Sequence, residues 1–430
     1  GYGKVIADIK WLAKKGRVEF TATSKYHAFL GLLPKKEIVR QIKLNDLTNR
    51  KIFGTCYKPK CFFPPEMSYD RKVMEAVKEL GFKTILLDEI AYKGKVGQVR
   101  YDRTYNIKKL DPLVAVFRQR RLSNVLSGGI TRTVSDFEKA LGKDISLDQY
   151  VMTGLDGETF GHHRPGLEEL LFQLVKNSKL KQVFVSDIPK IYPPSEAIDP
   201  VPGTWASSEY DIERGIQFHS WKDSDNEIHS KQWQLLNFAM KQIEEHKEDK
   251  GYAEARKKLD IAEASDQFFW ASNRPWWSLE MIEQGAWQVK DALDAMSDKH
   301  KRTKNRAQKL YSEIVSLALA WQREGKIKQE GHEHSEKIKI PFKDRTLGAG
   351  KPEVYQSFID LMKREQRRAE KKDNYEEAIL WRDALWKLET KNDIYDAIHI
   401  VDLLRKKLPT GELEKLMDRY KERYKKLRGG

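Results

Sequence analysis

Through about residue 215 the chain alternates short apolar or β-branched runs with stretches whose apolar residues recur at helical spacing. The runs Val18 to Thr23, Cys61 to Phe63, Thr84 to Asp88, Leu113 to Phe117, Tyr150 to Thr153 and Gln182 to Ser186 read as strands. Strands alternating with helices predict a mostly parallel sheet. Val73, Met74, Val77 and Leu80 fall on one stripe and Gly81 supplies a stop, so a helix is predicted over about 70–80. Six or seven such strands suit an irregular or incomplete α/β barrel. An open doubly wound sheet would give the same local pattern.

The texture changes after the Pro-rich stretch from Ile191 to Gly203. Long helical patterns begin near His229 and run past Trp287, and a Gly/Pro break from Gly348 to Pro352 introduces a highly charged tail. Three regions follow: a barrel over 1–215, a helical domain over 216–345 that completes a cleft, and a charged helical tail over 346–430 ending in a disordered-looking stretch from Tyr424.

Charge and cysteine usage narrow the picture. The net charge of +15 is concentrated late, because residues 301–430 hold 32 Lys and Arg against 22 Asp and Glu. The region of alternating strands is therefore not a polyanion binder by composition, and nucleic acid is not an expected partner. Cys56 and Cys61 are too few for a disulfide framework or a structural zinc site and point to free thiols in a reducing, cytoplasmic setting. No apolar run reaches the roughly 18 residues of a membrane span.

The candidate chemistry sits where apolar runs stop. Cys61-Phe-Phe-Pro-Pro leads into Glu66, and Val151-Met-Thr-Gly-Leu leads into Asp156, with His162 and His163 close behind. Two acids on the C-terminal rim of a barrel, roughly 5 Å apart, could act as nucleophile and acid/base in a retaining glycosidase; a wider gap would favour inversion. Equally, strand-end acids can simply cap helices. Asp88 and Glu89 end another strand and form a substitute pair.

Several segments together resemble glycoside hydrolase family 57, whose members act on α-glucans. These are Gly16 to His27 with Leu32-Leu33-Pro34, Phe63-Pro-Pro-Glu66, Leu155-Asp156-Gly-Glu158-Thr-Phe-Gly-His162, and Ala264-Ser-Asp266-Gln-Phe-Phe-Trp270, in the family's order over about residues 1–300. The resemblance implies an irregular (β/α)7-type barrel followed by a helical domain, with Glu66 as nucleophile and Asp156 as proton donor, then base. It also implies sugar-binding roles for His27, His162, Trp205, Asp266 and Trp270, and a role for Arg118 in holding the nucleophile ionised, against which stands a solvated surface arginine. Asp266 could otherwise be a plain helix N-cap. Of the remaining aromatics, Trp221, Trp276 and Trp277 could border the cleft or belong to the core, and His163 is expected to face away. Met67 and Gln267 occupy positions that vary with specificity. The family's first motif, His-Gln-Pro on the first strand, is absent, so the natural protein is expected to start earlier and one barrel edge to be open.

The expected substrate is therefore an α-glucan or maltooligosaccharide, the expected reaction hydrolysis or transglycosylation of the α-amylase or 4-α-glucanotransferase type, and no cofactor or metal is implied. Two rivals are a non-catalytic carbohydrate-binding or scaffold protein and a metal-dependent polysaccharide deacetylase using His27, His162, His163 and Asp156. No histidine pair has the i,i+4 spacing of two ligands on one helix face, and His332-Glu-His334 lies in a polar stretch. In the tail, Met362 to Leu388 resembles the UVR helical hairpin, a protein-interaction module, although a charged hairpin with i,i+4 pairs explains it as well.

Overall fold

Thr84–Asp88 is a strand in which every residue is buried, as expected of a short apolar run covered on both faces. It is the centre of a six-stranded sheet in a computed structural model of the chain, in which residues 2–326, apart from 130, 165, 178, 274 and 275, and residues 352–390 are described. The strands are β1 (Thr21–Ala22), β2 (Cys61–Phe62), β3 (Thr84–Asp88), β4 (Thr104–Ile107), β5 (Val114–Arg118) and β6 (Pro194–Ile198). Their order is β1-β2-β3-β5-β4-β6, with β4 antiparallel to β5 and every other pair parallel. The architecture is thus of the irregular α/β barrel type with a helical region after it.

Two predicted strands do not form. Tyr150 to Thr153 is extended and tied down at separate points: Tyr150 N donates to Tyr101 O (2.9 Å) and Gln119 N to Met152 O (2.8 Å). The Tyr150 hydroxyl takes the Phe117 amide of β5 at 3.1 Å. Gln182 to Ser186 runs into a 3-10 turn at Val185–Asp187, and Ser186 N bonds to the Glu19 carboxylate. Conversely β4 and β6 were not predicted. β6 starts on Pro194 at the sheet edge, where a missing N–H costs no ladder bond.

Helices α1 (Tyr2–Lys14), α2 (Lys35–Phe53) and α3 (Arg71–Glu79) lie among the early strands. α3 is the predicted helix: the Asp70 side chain accepts from Val73 N at 3.1 Å, Val73, Met74, Ala76 and Val77 are buried, and Gly81 at φ 87° follows its end. Next come α4 (Arg120–Ser127), α5 (Val134–Leu141), α6 (Leu167–Lys176), α7 (Ile188–Ile191) and α8 (Glu209–Arg214). The long patterns predicted from His229 onward form α9 (Glu227–Glu245), α10 (Tyr252–Ala262), α11 (Asp266–Phe269), α12 (Leu279–Asp294) and α13 (Lys301–Arg323). In the tail α14 (Pro352–Glu370) and α15 (Tyr375–Thr390) make a helical hairpin. Two charged helices joined this way lend the UVR likeness no independent support. Residues 348–351, His332, His334 and the stretch from Tyr424 lie outside the described residues.

The chain forms two compact units. The first comprises Gly1–Arg120, Asp148–Met152 and Val183–His334; the second comprises Arg121–Leu147, Thr153–Gln182 and Ser335–Gly430. In the first, one apolar core runs from the sheet (Phe62, Ile85, Leu87, Phe117) into the helices (Leu235, Leu259, Ile282, Ile314). In the second, Leu122, Leu126, Phe137, Leu141, Leu167 and Leu170 pack together. Cys56 and Cys61 are free thiols, and among the described residues no helix is long and apolar enough to cross a membrane.

A buried charge cluster ties α2 to α10 within the first unit. Arg256 reaches Glu263 (2.8 Å), Asp260 (3.0 Å) and Glu37 (3.2 Å), Arg40 clamps Asp260 through two bonds, and Gln41 donates to Glu263 (2.8 Å). Burial lowers Arg256, yet its three acidic neighbours outweigh this and raise it overall. Burial, with Glu37 close by, raises Glu263 well above its ordinary value. Arg256→Met leaves three buried carboxylates without their shared cation, so it is expected to cost about 3–5 kcal/mol in urea unfolding at neutral pH. Because Glu263 binds its proton more tightly folded than unfolded, that contribution is complete below the ordinary carboxyl range and is lost as pH rises toward the raised value. Glu263→Gln, neutral throughout, should therefore gain in melting temperature relative to the unsubstituted chain as pH is raised from about 5 to about 8.

Candidate active site

Glu66 occupies a turn few side chains adopt. β2 ends at Phe62, Pro64 and Pro65 stiffen the exit, and Glu66 (φ 58°) and Met67 (φ 47°) then take consecutive left-handed conformations. The surroundings hold this strain. Glu66 O accepts from Thr204 Oγ1 (2.6 Å) and Trp205 N (3.1 Å), Tyr69 pairs with Gly203 through two backbone bonds, and Met67 is fully buried. Residues 66–69 are zipped to 203–205.

That zipper delivers the carboxylate to two donors. His27 Nε2 lies 2.9 Å from Oε1, and Trp205 Nε1 donates to Oε2 at 2.7 Å. The Glu66 side chain keeps 21% exposure and that of His27 51%, so the group is held on one side and open on the other. Both bonds are charge-assisted, which fixes geometry more firmly than neutral ones.

Trp205 is itself held. Phe63 meets its ring edge-on at 6.0 Å, and the Arg118 guanidinium lies 5.4 Å from the ring centroid. Arg118 ends β5 opposite Asp88 at the end of β3, is buried, and donates to Asp88 Oδ2 at 2.7 Å; Arg120 Nε donates to Oδ1 at 2.8 Å. Burial lowers Arg118 from its ordinary value, opposed by Asp88. The solvated surface arginine is therefore corrected: Arg118 is a buried cation beneath Trp205. Asp88 is fully buried by two arginines, and Glu89 accepts from Tyr101 Oη and from the Gly97 and Arg120 amides, with its carboxyl raised by burial. These acids support the site from below.

On the other side, His27 (φ 54°) is joined to the start of α11. Its carbonyl accepts from Ser265 N (3.3 Å), and Ala28 bridges Ala264. Gln41 binds the Tyr26 amide through Oε1, and its Nε2 donates to Asp260 O and Glu263. Asp266 is exposed at the first position of α11, while Ser265 stands at the N-cap without a side-chain bond, so Asp266 is not a plain cap. Trp270 is half-buried and meets Trp276 edge-on at 5.4 Å. Trp221 belongs to the core against Phe29, and Trp277 stacks on Trp321. Gln267 is buried, donates to Ala262 O, and packs where a Cβ on Gly285 would come within 2.2 Å of it. Met67 and Gln267 thus shape the backbone around the site.

In the second unit Asp156 follows an extended segment anchored by Gly154 N on Ser123 Oγ (3.2 Å) and opens the turn Gly157–Thr159, whose Thr159 N bonds to Asp156 O (3.0 Å). Asp156 is exposed, and the His162 and His163 rings are both exposed with centroids 5.1 Å apart. Glu66, His27, Arg118, Trp205, Asp266 and Trp270 belong to the first unit; Asp156 and His162 belong to the second. Among the described residues no group of three or more His, Cys, Asp or Glu is placed to hold a metal ion.

Thr204, Arg120 and Gln41 were not singled out from the sequence. Thr204 lies just past a Pro-rich stretch read as punctuation, and Gln41 is one polar residue on a helix; the run Arg118-Gln-Arg120-Arg at the end of a strand carries no sign in the sequence that its cations are buried.

Comparison with known proteins gives this geometry a context. Residues 2–201 match glycosyl hydrolase family 57. A Methanocaldococcus jannaschii protein named "Putative alpha-amylase" is 26% identical over 47% of this chain and 46% of its own length. The 4-α-glucanotransferase of Thermococcus litoralis superposes with a TM-score of 0.50 at 15% identity, covering 67% of this chain and 48% of that one. A family 57-type branching enzyme of Pyrococcus horikoshii superposes equally well at 16% identity, covering 72% of each chain. These likenesses carry the fold, and the chain spans less than half the length of the first two proteins. Residues 2–201, the stretch that carries both Glu66 and Asp156, are similar to glycosyl hydrolase family 57 and make up a little under half of the chain.

Proposed function

We propose that the chain is a retaining glycoside hydrolase or transglycosylase acting on α-glucans, of the α-amylase or 4-α-glucanotransferase type. The observation that carries this reading is the Glu66 carboxylate, held in a strained turn at the end of β2 by His27 on one oxygen and Trp205 on the other. A carboxylate oriented by two donors and open on one side has the form a nucleophile needs.

In the first step Glu66 attacks the anomeric carbon, the glycosidic C–O bond breaks, and Asp156 gives its proton to the departing oxygen. In the second, Asp156 takes a proton from water or an acceptor hydroxyl, whose oxygen displaces Glu66 from the sugar. Water gives hydrolysis and a sugar gives transfer. His27, His162 and Asp266 contribute polar contacts to the sugars, and Trp270 offers an aromatic face to a pyranose ring. The likeness of residues 2–201 to glycosyl hydrolase family 57 and the three relatives' printed names favour this chemistry over a non-catalytic scaffold.

Product profiling with maltooligosaccharides tests it. The chain should change oligosaccharide lengths or release reducing ends, and Glu66→Gln should lower the rate by at least about 10³-fold. Glucan binding that survives Glu66→Gln, with no turnover by the unsubstituted chain, would favour the scaffold instead. Asp156→Asn should abolish cleavage of natural glucans while leaving fluoride release from α-maltosyl fluoride largely intact in the first turnover, because fluoride departs without a proton. Equal losses on both substrates would remove Asp156 from the acid role.

A further inference from the structure

The two oxygens of Glu66 do not stand in equivalent surroundings. Oε1 faces His27, whose side chain is half-exposed; Oε2 faces the indole N–H of Trp205, a ring held between Phe63 and Arg118. The main chain of the same tryptophan also binds the Glu66 carbonyl, so side chain and backbone of one residue grip one glutamate. The buried Arg118 cation against the ring face draws electron density from the indole and makes its N–H a stronger donor.

Resting on the reading of Glu66 as nucleophile, we propose that Trp205 is a positioning residue that holds Oε2 out of the reaction, leaves Oε1 to attack, and speeds the return of Glu66 from its glycosyl ester. When Oε1 forms its bond to the anomeric carbon, the glycosidic C–O bond breaks and its electron pair leaves with the departing oxygen. Oε2 becomes the ester carbonyl and loses most of its charge. When water or an acceptor hydroxyl attacks the anomeric carbon and gives its proton to Asp156, the bond from that carbon to Oε1 breaks and its electron pair returns to the carboxylate. The Trp205 N–H gains strength as that charge returns. Its effect therefore falls mainly on the second step.

Trp205→Phe removes the donor and keeps a ring between Phe63 and Arg118; replacing the indole by benzothiophene at position 205 removes only the N–H. The probe is α-maltosyl fluoride, mixed rapidly with each protein while fluoride release is followed, with mass spectrometry of the quenched protein and peptide mapping to Glu66. Both variants are expected to keep a first-turnover burst, to slow in steady state by about 10- to 100-fold, and to accumulate maltosyl ester on Glu66. A loss shared equally by burst and steady state, with no more ester than in the unsubstituted chain, would make Trp205 a merely structural support and overturn the proposal. Fluoride release with no ester on Glu66 in either variant or in the unsubstituted chain would instead overturn the nucleophile reading, and this inference with it.

Discussion

The site depends on a backbone conformation that the chain would not adopt locally. Two consecutive left-handed residues, Glu66 and Met67, cost of order 1–3 kcal/mol each, and no feature of the peptide 61–68 alone repays that. The repayment comes from chain more than 130 residues later, where Thr204 and Trp205 bind the Glu66 carbonyl and Gly203 pairs with Tyr69. The burial of Met67 against Leu86, Val116 and Tyr150 completes the hold. Strain and chemistry are coupled here, because the residues that stabilise the turn also supply a donor to the carboxylate.

Beneath this turn lies a second constraint, made of charge. Asp88 and Glu89 at the end of β3 face Arg118 at the end of β5 and Arg120 at the start of α4, two acids and two cations gathered in the interior. Parallel pairing of β3 with β5 sets the register that brings them together. A buried arrangement of this kind is weak as a source of stability and strong as a source of geometry, since each partner is costly to leave alone. What it positions is Arg118 against the indole of Trp205. The Arg256 cluster does the same for the opposite wall, where Gln41 links the chain beside His27 to the end of α10 and hence to Asp266.

Much of the frame was legible in the chain. β3 and α3 stand where period and stop signals put them, because an all-apolar run and a four-residue stripe leave little choice. Glu66 could be singled out since Pro64 and Pro65 mark the strand exit. The rest was hidden for identifiable reasons. β6 begins on a proline and alternates exposure at a sheet edge, so it looked like loop. Tyr150 to Thr153 has strand composition, yet a tyrosine hydroxyl takes the amide it would have paired beside. Arg118 appears in the sequence as one of several basic residues, and only the register with Asp88 reveals it as buried. Thr204 and Trp205 act at a distance of about 140 positions, beyond any local pattern.

The Arg40 to Asp260 clamp joins residues 220 positions apart. A ribosome adding about 5–20 residues per second needs on the order of 10–45 seconds to supply the second partner after the first has emerged. Through that interval Arg40 and Gln41 of α2 are without their partners on α10, and the apolar core that includes Ile38 and Ile42 lacks its helical half. The clamp is therefore a late event in the making of the chain, open to closure only after well over half of the residues have been joined.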